Sequence, residues 1–178
     1  MEIATENLAT NREQWASIDG YSDYEISWWG RVRNTATARM LKTTTNAGDY
    51  QVINLTKNGK RKLHYVHKLV AHEWVLNQSN KQWVDHIDNQ RSNNHWENLR
   101  FVSCSENSMN RTKRGNTSSI YKGVCFEKRR NLWMARINVN SKSVFLGYFT
   151  SEREAANAYN ASAIKFYKQF AKLNVFED

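Results

Sequence analysis

Residues 83–111 read WVDHIDNQRSNNHWENLRFVSCSENSMNR, and four side chains in this stretch could do chemistry together. Asp85 and His86 are adjacent, and Asn98 and Asn107 follow at a distance. A carboxylate, an imidazole and two amides could hold a divalent cation and activate a water. Phosphodiester hydrolysis needs a nucleophile, in-line geometry and neutralisation of charge on the phosphate and leaving oxygen. Mg²⁺ prefers one or two protein oxygens plus waters and substrate phosphate. The Asp85 carboxylate and the Asn107 amide oxygen fit that sparse set, for Mg²⁺ or Mn²⁺. His86 carries the side chain whose unperturbed pKa lies closest to neutrality, which suits a general base taking a proton from the attacking water. Asn98 is better suited to pinning the intervening loop and orienting His86 than to chemistry.

Local patterns predict how these groups are carried. Residues 82–87 read as a strand, 88–97 as a polar loop and 99–103 as a second strand. Ser103 and Glu106 then form a capping box, so a helix starts after Ser103 with Asn107 in its first turn. At that position a hydrophobic staple would want an apolar partner for Val102, and an amide breaking the local rule marks a functional position. Neighbours in a regular strand point to opposite faces, so Asp85 and His86 share a site only at a strand edge or a twist. Asp88 and His95, also in the loop, read as solvated or phosphate-side residues.

The phrases V-D-H-I-D, E-N-L-R and S-E-N resemble the HNH endonuclease motif, in the variant whose last position is Asn. That resemblance implies a ββα-metal (His-Me finger) nuclease unit with roles at all four matching positions, Asp85 and Asn107 on the metal, His86 as base and Asn98 in support. Upstream, W…I…Y…YEIS…GRVR over residues 15–33 resembles the NUMOD4-like module that often precedes HNH domains in homing endonucleases. His67, in the phrase V-H-K-L-V, matches a segment that precedes HNH motifs and reads as a supporting residue. His64 and His72 read as ordinary histidines.

The chain has 178 residues, a formal charge of +9 and a pI near 9.6. Such an excess favours a polyanionic partner, because neutralising phosphates releases condensed counterions. Residues 31–62 hold eight Lys and Arg against one Asp, and residues 112–178 hold twelve bases against five acids. The stretch between them is balanced, as expected of a cutter held by two grips. No apolar run approaches bilayer length and the first residues lack a signal-peptide pattern, so an intracellular protein (cytoplasm or nucleus of the host cell) without a membrane role is expected. Cys104 and Cys125 stand apart from any C-x-x-C and read as reduced, partly buried thiols.

In the N-terminal grip, residues 15–33 read as two short strands around a Gly30 turn, with Trp15, Ile18, Tyr24, Ile26 and Val32 inward. Arg31 and Arg33 share the opposite face. Residues 50–57 and 60–66 form a hairpin around Asn58-Gly59, the pair preferred in a type I′ turn. Its tip carries Lys57, Lys60, Arg61 and Lys62, which suits a DNA groove, although lysines also protect edge strands. Apolar spacing then changes to helical over residues 65–76.

After a polar linker bearing Lys113 and Arg114, YKGVCFEKRR, NLWMARINVN and KSVFLGYF read as three strands. A second capping box, Ser151 with Glu154, opens a helix. Ala155, Ala156, Ala158, Ala161 and Ala163 would face the sheet there, with Tyr159 and Phe166 adding bulk. The phrases Y-K-G-V, W-M-A-R-I, F-L-G-Y-F, E-A-A-N-A-Y and L-N, over residues 118–176, resemble the AP2 DNA-binding domain. That implies a three-stranded sheet in the major groove with a helix behind. The chain departs from plant-type members at Cys125, Glu127 and Phe145. Lys122, Lys128, Arg129, Arg130, Arg136 and Lys142 read as phosphate contacts, and Trp133 as core.

The expectation is an α+β modular protein: a flexible arm (1–14), a β-rich DNA-binding module (15–62), the HNH module (63–111), a linker (112–119) and an AP2-like domain (120–178). Its expected function is metal-dependent hydrolysis of double-stranded DNA, nicking as a monomer. The alternative is a non-catalytic AP2-like DNA-binding or regulatory protein.

Overall fold

The structure is a computed structural model that describes residues 12–113, 115 and 118–176. Most of the expected arm, and Arg114 in the linker, lie outside the described residues. The chain divides into two compact units, residues 1–102 and 103–178.

The first unit begins with three antiparallel strands, not two: β1 (Trp15–Ile18), β2 (Tyr21–Ser27) and β3 (Val32–Asn34), in that order across the sheet. The extra turn comes at Asp19-Gly20, which pairs Ala16 with Ile26 and turns Ile18 and Ile26 inward. A second sheet follows, with β4 (Thr44–Thr45), β5 (Gln51–Lys57) and β6 (Lys60–Tyr65) in sequence order. Lys57 pairs with Lys60 across a two-residue turn in which Asn58 and Gly59 both have positive φ, as a type I′ hairpin requires. Helix α1 (Val66–Trp74) continues directly from β6 and buries Val66, His67, Val70 and Ala71. Full burial of Val66 and Val70 contributes about 1.5–3 kcal/mol each. One core joins both sheets, α1 and the strands that follow: Ile18, Ile26, Val32, Ile53, Leu55, Val70 and Leu99 all belong to it.

Strands β7 (Trp83–His86) and β8 (Leu99–Val102) close this unit as an antiparallel pair, slightly shorter than expected at their ends. The turn after β2 presses on the loop between them. A Cβ on Gly30 would stand 2.9 Å from that of Asn94, and Gly30 has φ +83. Trp96 N donates to Trp28 O at 2.9 Å in the same contact.

The second unit opens with α2 (Cys104–Asn110) and continues into β9 (Val124–Glu127), β10 (Leu132–Val139) and β11 (Lys142–Phe149), an antiparallel sheet with β10 central. Helix α3 (Glu152–Tyr167) packs on that sheet through Ala155, Ala156, Tyr159, Ala163 and Tyr167. Phe166 and Ala161 are exposed, contrary to expectation. The buried stripe runs through residues 156, 159, 163 and 167 at 3.6-residue spacing, which turns 161 and 166 away. Trp133 packs in the core beside Phe126, with ring centroids 4.9 Å apart. Both cysteines are free thiols, and Cys104 is exposed rather than partly buried. No helix among the described residues is long and apolar enough to cross a membrane.

Candidate active site

Strand alternation sends Asp85 and His86 to opposite sides of β7. Asp85 lies opposite Arg100 in the register, and the guanidinium donates twice to Oδ2, from Nε at 3.1 Å and from Nη2 at 2.9 Å. The carboxylate is buried, so this pair works with little solvent screening.

On the other side, His86 Nε2 meets Asn94 Oδ1 at 3.2 Å. Asn94 is also buried, and its Nδ2 donates to Gln51 Oε1 at 3.1 Å and to Ser92 O at 3.3 Å. Those two bonds fix which end of the amide is the acceptor. His86 Nε2 is therefore the donor in this contact. The His67 ring lies 5.0 Å from the His86 ring, and Tyr50 is 5.0 Å from His67 and 6.1 Å from His86. Arg91 covers Tyr50 with its guanidinium 4.7 Å from the ring and donates to Gly48 O at 2.7 Å.

Burial pushes the His86 pKa down. The Asn94 bond and the carboxylates of Asp88 and Asp85 oppose that shift, while Arg91 adds to it. His67 is lowered further, to about 3, by burial first and then by His86 and Lys68. The downward shift favours the neutral form of His86, the form that a general base needs.

The loop from Asp88 to Glu97 is organised by side chains rather than left to solvent. Asn98 Nδ2 donates to Asp88 Oδ1 at 2.9 Å and to Asn93 O at 2.8 Å, while Asn98 Oδ1 accepts from Asp88 N at 3.1 Å. Gln90 N and Asn93 Nδ2 also donate to Asp88, each at 2.7 Å. Burial alone would raise the Asp88 carboxyl, but the bonds from Gln90, Asn93 and Asn98 outweigh it and hold the pKa below its usual range. The loop's hub is thus Asp88, rather than the solvated or phosphate-side residue that the sequence suggests. The His95 ring lies 4.2 Å from that of Trp29, tilted by 52°.

Asn107 is half-buried in the first turn of α2, with its N–H donating to Ser103 O at 3.0 Å. The expected capping box is present: Glu106 N donates to Ser103 Oγ at 3.2 Å, and Ser103 N to Glu106 Oε2 at 2.7 Å. Among the described residues, no three His, Cys, Asp or Glu side chains converge as a metal cage. The Asp85 carboxylate is an oxygen donor of the kind that hard divalent ions prefer.

The cations expected on DNA divide into distinct groups. Arg31 pairs with Glu13, and Arg33 pairs with Glu25 at 2.7 Å while stacking 4.2 Å over Trp15. Lys57, Lys60, Arg61 and Lys62 are exposed at the hairpin tip. Lys128, Arg129, Arg130, Arg136 and Lys142 are exposed on the second unit, with Arg130 lying 4.8 Å over Tyr148. Lys113 and Lys122 direct their ammonium groups to backbone carbonyls instead. Lys113 donates to Tyr121 O and Val124 O, and Lys122 to Met109 O and Arg111 O.

Asn94, Tyr50 and Arg91 escaped the sequence reading. Asn94 had a signal, as the second amide of an N-N-H run in a loop flanked by the histidine it binds; Tyr50 is remote in sequence, and Arg91, in the same loop, is drawn in only by its contact with Tyr50.

Comparison with known proteins bears on the same stretch. A family profile for the NUMOD4 motif matches residues 13–56, and one for HNH endonuclease matches residues 79–109. DNA endonuclease I-HmuI of Bacillus phage SP01 is 34% identical over 119 residues, which is 66% of this chain and 68% of that protein. Its solved structure, described as DNA binding and cleavage by the HNH homing endonuclease I-HmuI, is similar with a TM-score of 0.51 over 53% of this chain and 55% of that one. Uncharacterized HNH endonuclease L245 of Acanthamoeba polyphaga mimivirus is 34% identical over 53% of this chain, but the match spans only 28% of that protein. The AP2-like ethylene-responsive transcription factor AIL6 of Arabidopsis thaliana is 45% identical over 51 residues, 28% of this chain and 9% of that protein.

Proposed function

Because this chain belongs to the HNH homing endonuclease family, we propose that it is a metal-dependent endonuclease that hydrolyses a phosphodiester bond in double-stranded DNA. The observation carrying this reading is that the HNH endonuclease match, residues 79–109, contains Asp85, His86, Asn98 and Asn107 together. In this mechanism the imidazole of His86 takes the proton from the attacking water, while Asn94 holds the ring through its bond to Nε2. Asp85 and Asn107 are the residues that would hold the ion. A bound Mg²⁺, or Mn²⁺, supplies neutralisation of charge on the scissile phosphate and the leaving oxygen. Asn98 keeps the loop closed around Asp88, which fixes the strand pair that carries the base. Exposed cations at the hairpin tip and on the β9–β11 sheet hold the DNA backbone through phosphates.

With one such centre per chain, a monomer nicks one strand. The test is incubation with supercoiled plasmid and MgCl₂, with EDTA and His86→Ala as controls. Open-circle product that both controls abolish supports the proposal. Binding without conversion on any DNA would favour a DNA-binding protein that does not cut.

A further inference from the structure

Helix α2 has seven residues, too few to persist in isolation. Its N-terminus is closed by the Ser103–Glu106 box, but Arg111 leaves the helix in an extended conformation with no glycine cap. The carbonyls of its last turn therefore need partners from elsewhere. Lys122 supplies two of these bonds: its ammonium donates to Met109 O at 2.5 Å and to O of the C-cap residue Arg111 at 2.8 Å. A cation at this end also meets the negative pole of the helix.

Lys122 is itself held firmly. Its N–H donates to Asn174 Oδ1 at 2.6 Å, and Asn174 Nδ2 returns a bond to Lys122 O at 3.1 Å. Asn174 is tied to α3 by Asn160, which accepts from Asn174 N at 2.8 Å and donates to Asn174 O at 2.9 Å. The next residue, Gly123, has φ +76 and lies so close to Tyr159 that an added Cβ would meet the ring at 2.0 Å. Met109 of α2 packs against the same cluster, beside Ile137 and Tyr159. A continuous series of bonds thus runs from α3 through Asn174 and Lys122 to the end of α2.

We propose that Lys122 is a positioning residue for Asn107: the AP2-like module uses it to hold the short helix that presents the proposed metal ligand. This rests on the endonuclease reading above, and it gives the lysine a different task from contacting DNA.

The test compares Lys122→Met, which keeps the stem and removes the ammonium, with Lys122→Arg, which restores donors and charge. Amide hydrogen exchange is read over α2 and over β10 in the metal-free protein. The Mg²⁺ concentration for half-maximal plasmid nicking and the affinity for plasmid DNA are read beside it. Losing a charged hydrogen-bond donor is expected to reduce α2 protection in K122M about tenfold or more, with β10 unchanged. The Mg²⁺ requirement should rise by a similar factor, DNA affinity should hold, and K122R should recover part of the loss.

Unchanged α2 protection would overturn the proposal, as would weaker DNA binding with an unchanged Mg²⁺ requirement, which marks a phosphate contact. If K122M loses protection in β10 as well, K122Q, which keeps one donor, is judged on the same two segments. Loss throughout β10 in both variants would also overturn it, since the lysine would then support the whole module. Absence of nicking by the unmodified protein would sink the endonuclease reading while leaving the exchange result to stand.

Discussion

The imidazole of His86 and the amide of Asn94 meet at 3.2 Å, and the two further bonds of Asn94 leave only its oxygen to face the ring. The pair makes Nε2 the donor of this contact and fixes the orientation of the ring. Asn94→Ala is expected to lower the single-turnover nicking rate about ten- to a hundredfold, less than the loss from His86→Ala, because it misorients the base without removing it. Plasmid affinity should not change. An unaltered rate would separate Asn94 from the chemistry.

Gly30 bears on the same pair from the N-terminal sheet, since any side chain there collides with Asn94. The first motif and the loop between β7 and β8 are in this sense one structure. That relationship was not legible in the sequence, because nothing in local periodicity links residue 30 to residue 94. Local signals did better. The Asn58-Gly59 turn and both capping boxes follow from short-range chemistry and appear where expected. Asp88 was misread for an instructive reason: an Asp in a polar loop looks solvated until the amides of Asn93 and Asn98 are seen to fold back on it. Phe166 was misplaced because an alanine-rich helix offers several faces to a simple pattern, and only Tyr159 and Tyr167 show which one meets the sheet.

Arg100 and Asp85 form a buried pair, with side-chain exposures of 16% and 10%. Removing the arginine takes a guanidinium and its two hydrogen bonds away from a buried carboxylate. Arg100→Met is expected to destabilise the metal-free protein by about 3 kcal/mol, the range for breaking such a pair. If Asp85 holds the ion, added Mg²⁺ should recover more stability in this variant than in the parent. Thermal unfolding with and without MgCl₂ measures both effects.

His67 is buried with Nδ1 lacking a hydrogen-bond partner among the described residues, and its pKa is lowered to about 3. In the unfolded chain it takes up a proton near pH 6.5. Between those values the unfolded state binds the extra proton, so stability is complete above about pH 6.5 and falls as pH drops toward 3. The slope from this residue reaches at most about 1.4 kcal/mol per pH unit. His67→Phe should flatten that part of the acid limb in a denaturation series from pH 7.5 to about pH 4, read against the parent. An identical limb would assign the acid sensitivity to other groups.

The hairpin tip presents Lys57, Lys60, Arg61 and Lys62 to solvent. Where each meets a phosphate, neutralising it should reduce the slope of log K against log salt by about 0.9. The four-fold Gln variant is therefore expected to bind plasmid more weakly at low salt and with a shallower salt dependence. Equal slopes would return these cations to edge protection of β6.

The metal-binding assignment is tested most directly by titrating Mn²⁺ into the His86→Ala protein, which cannot consume DNA, and following bound Mn²⁺ by electron paramagnetic resonance. The account predicts one site that is lost in the added Asp85→Asn change and weakened in the added Asn107→Ala change. Unaltered Mn²⁺ affinity in both combinations would contradict it.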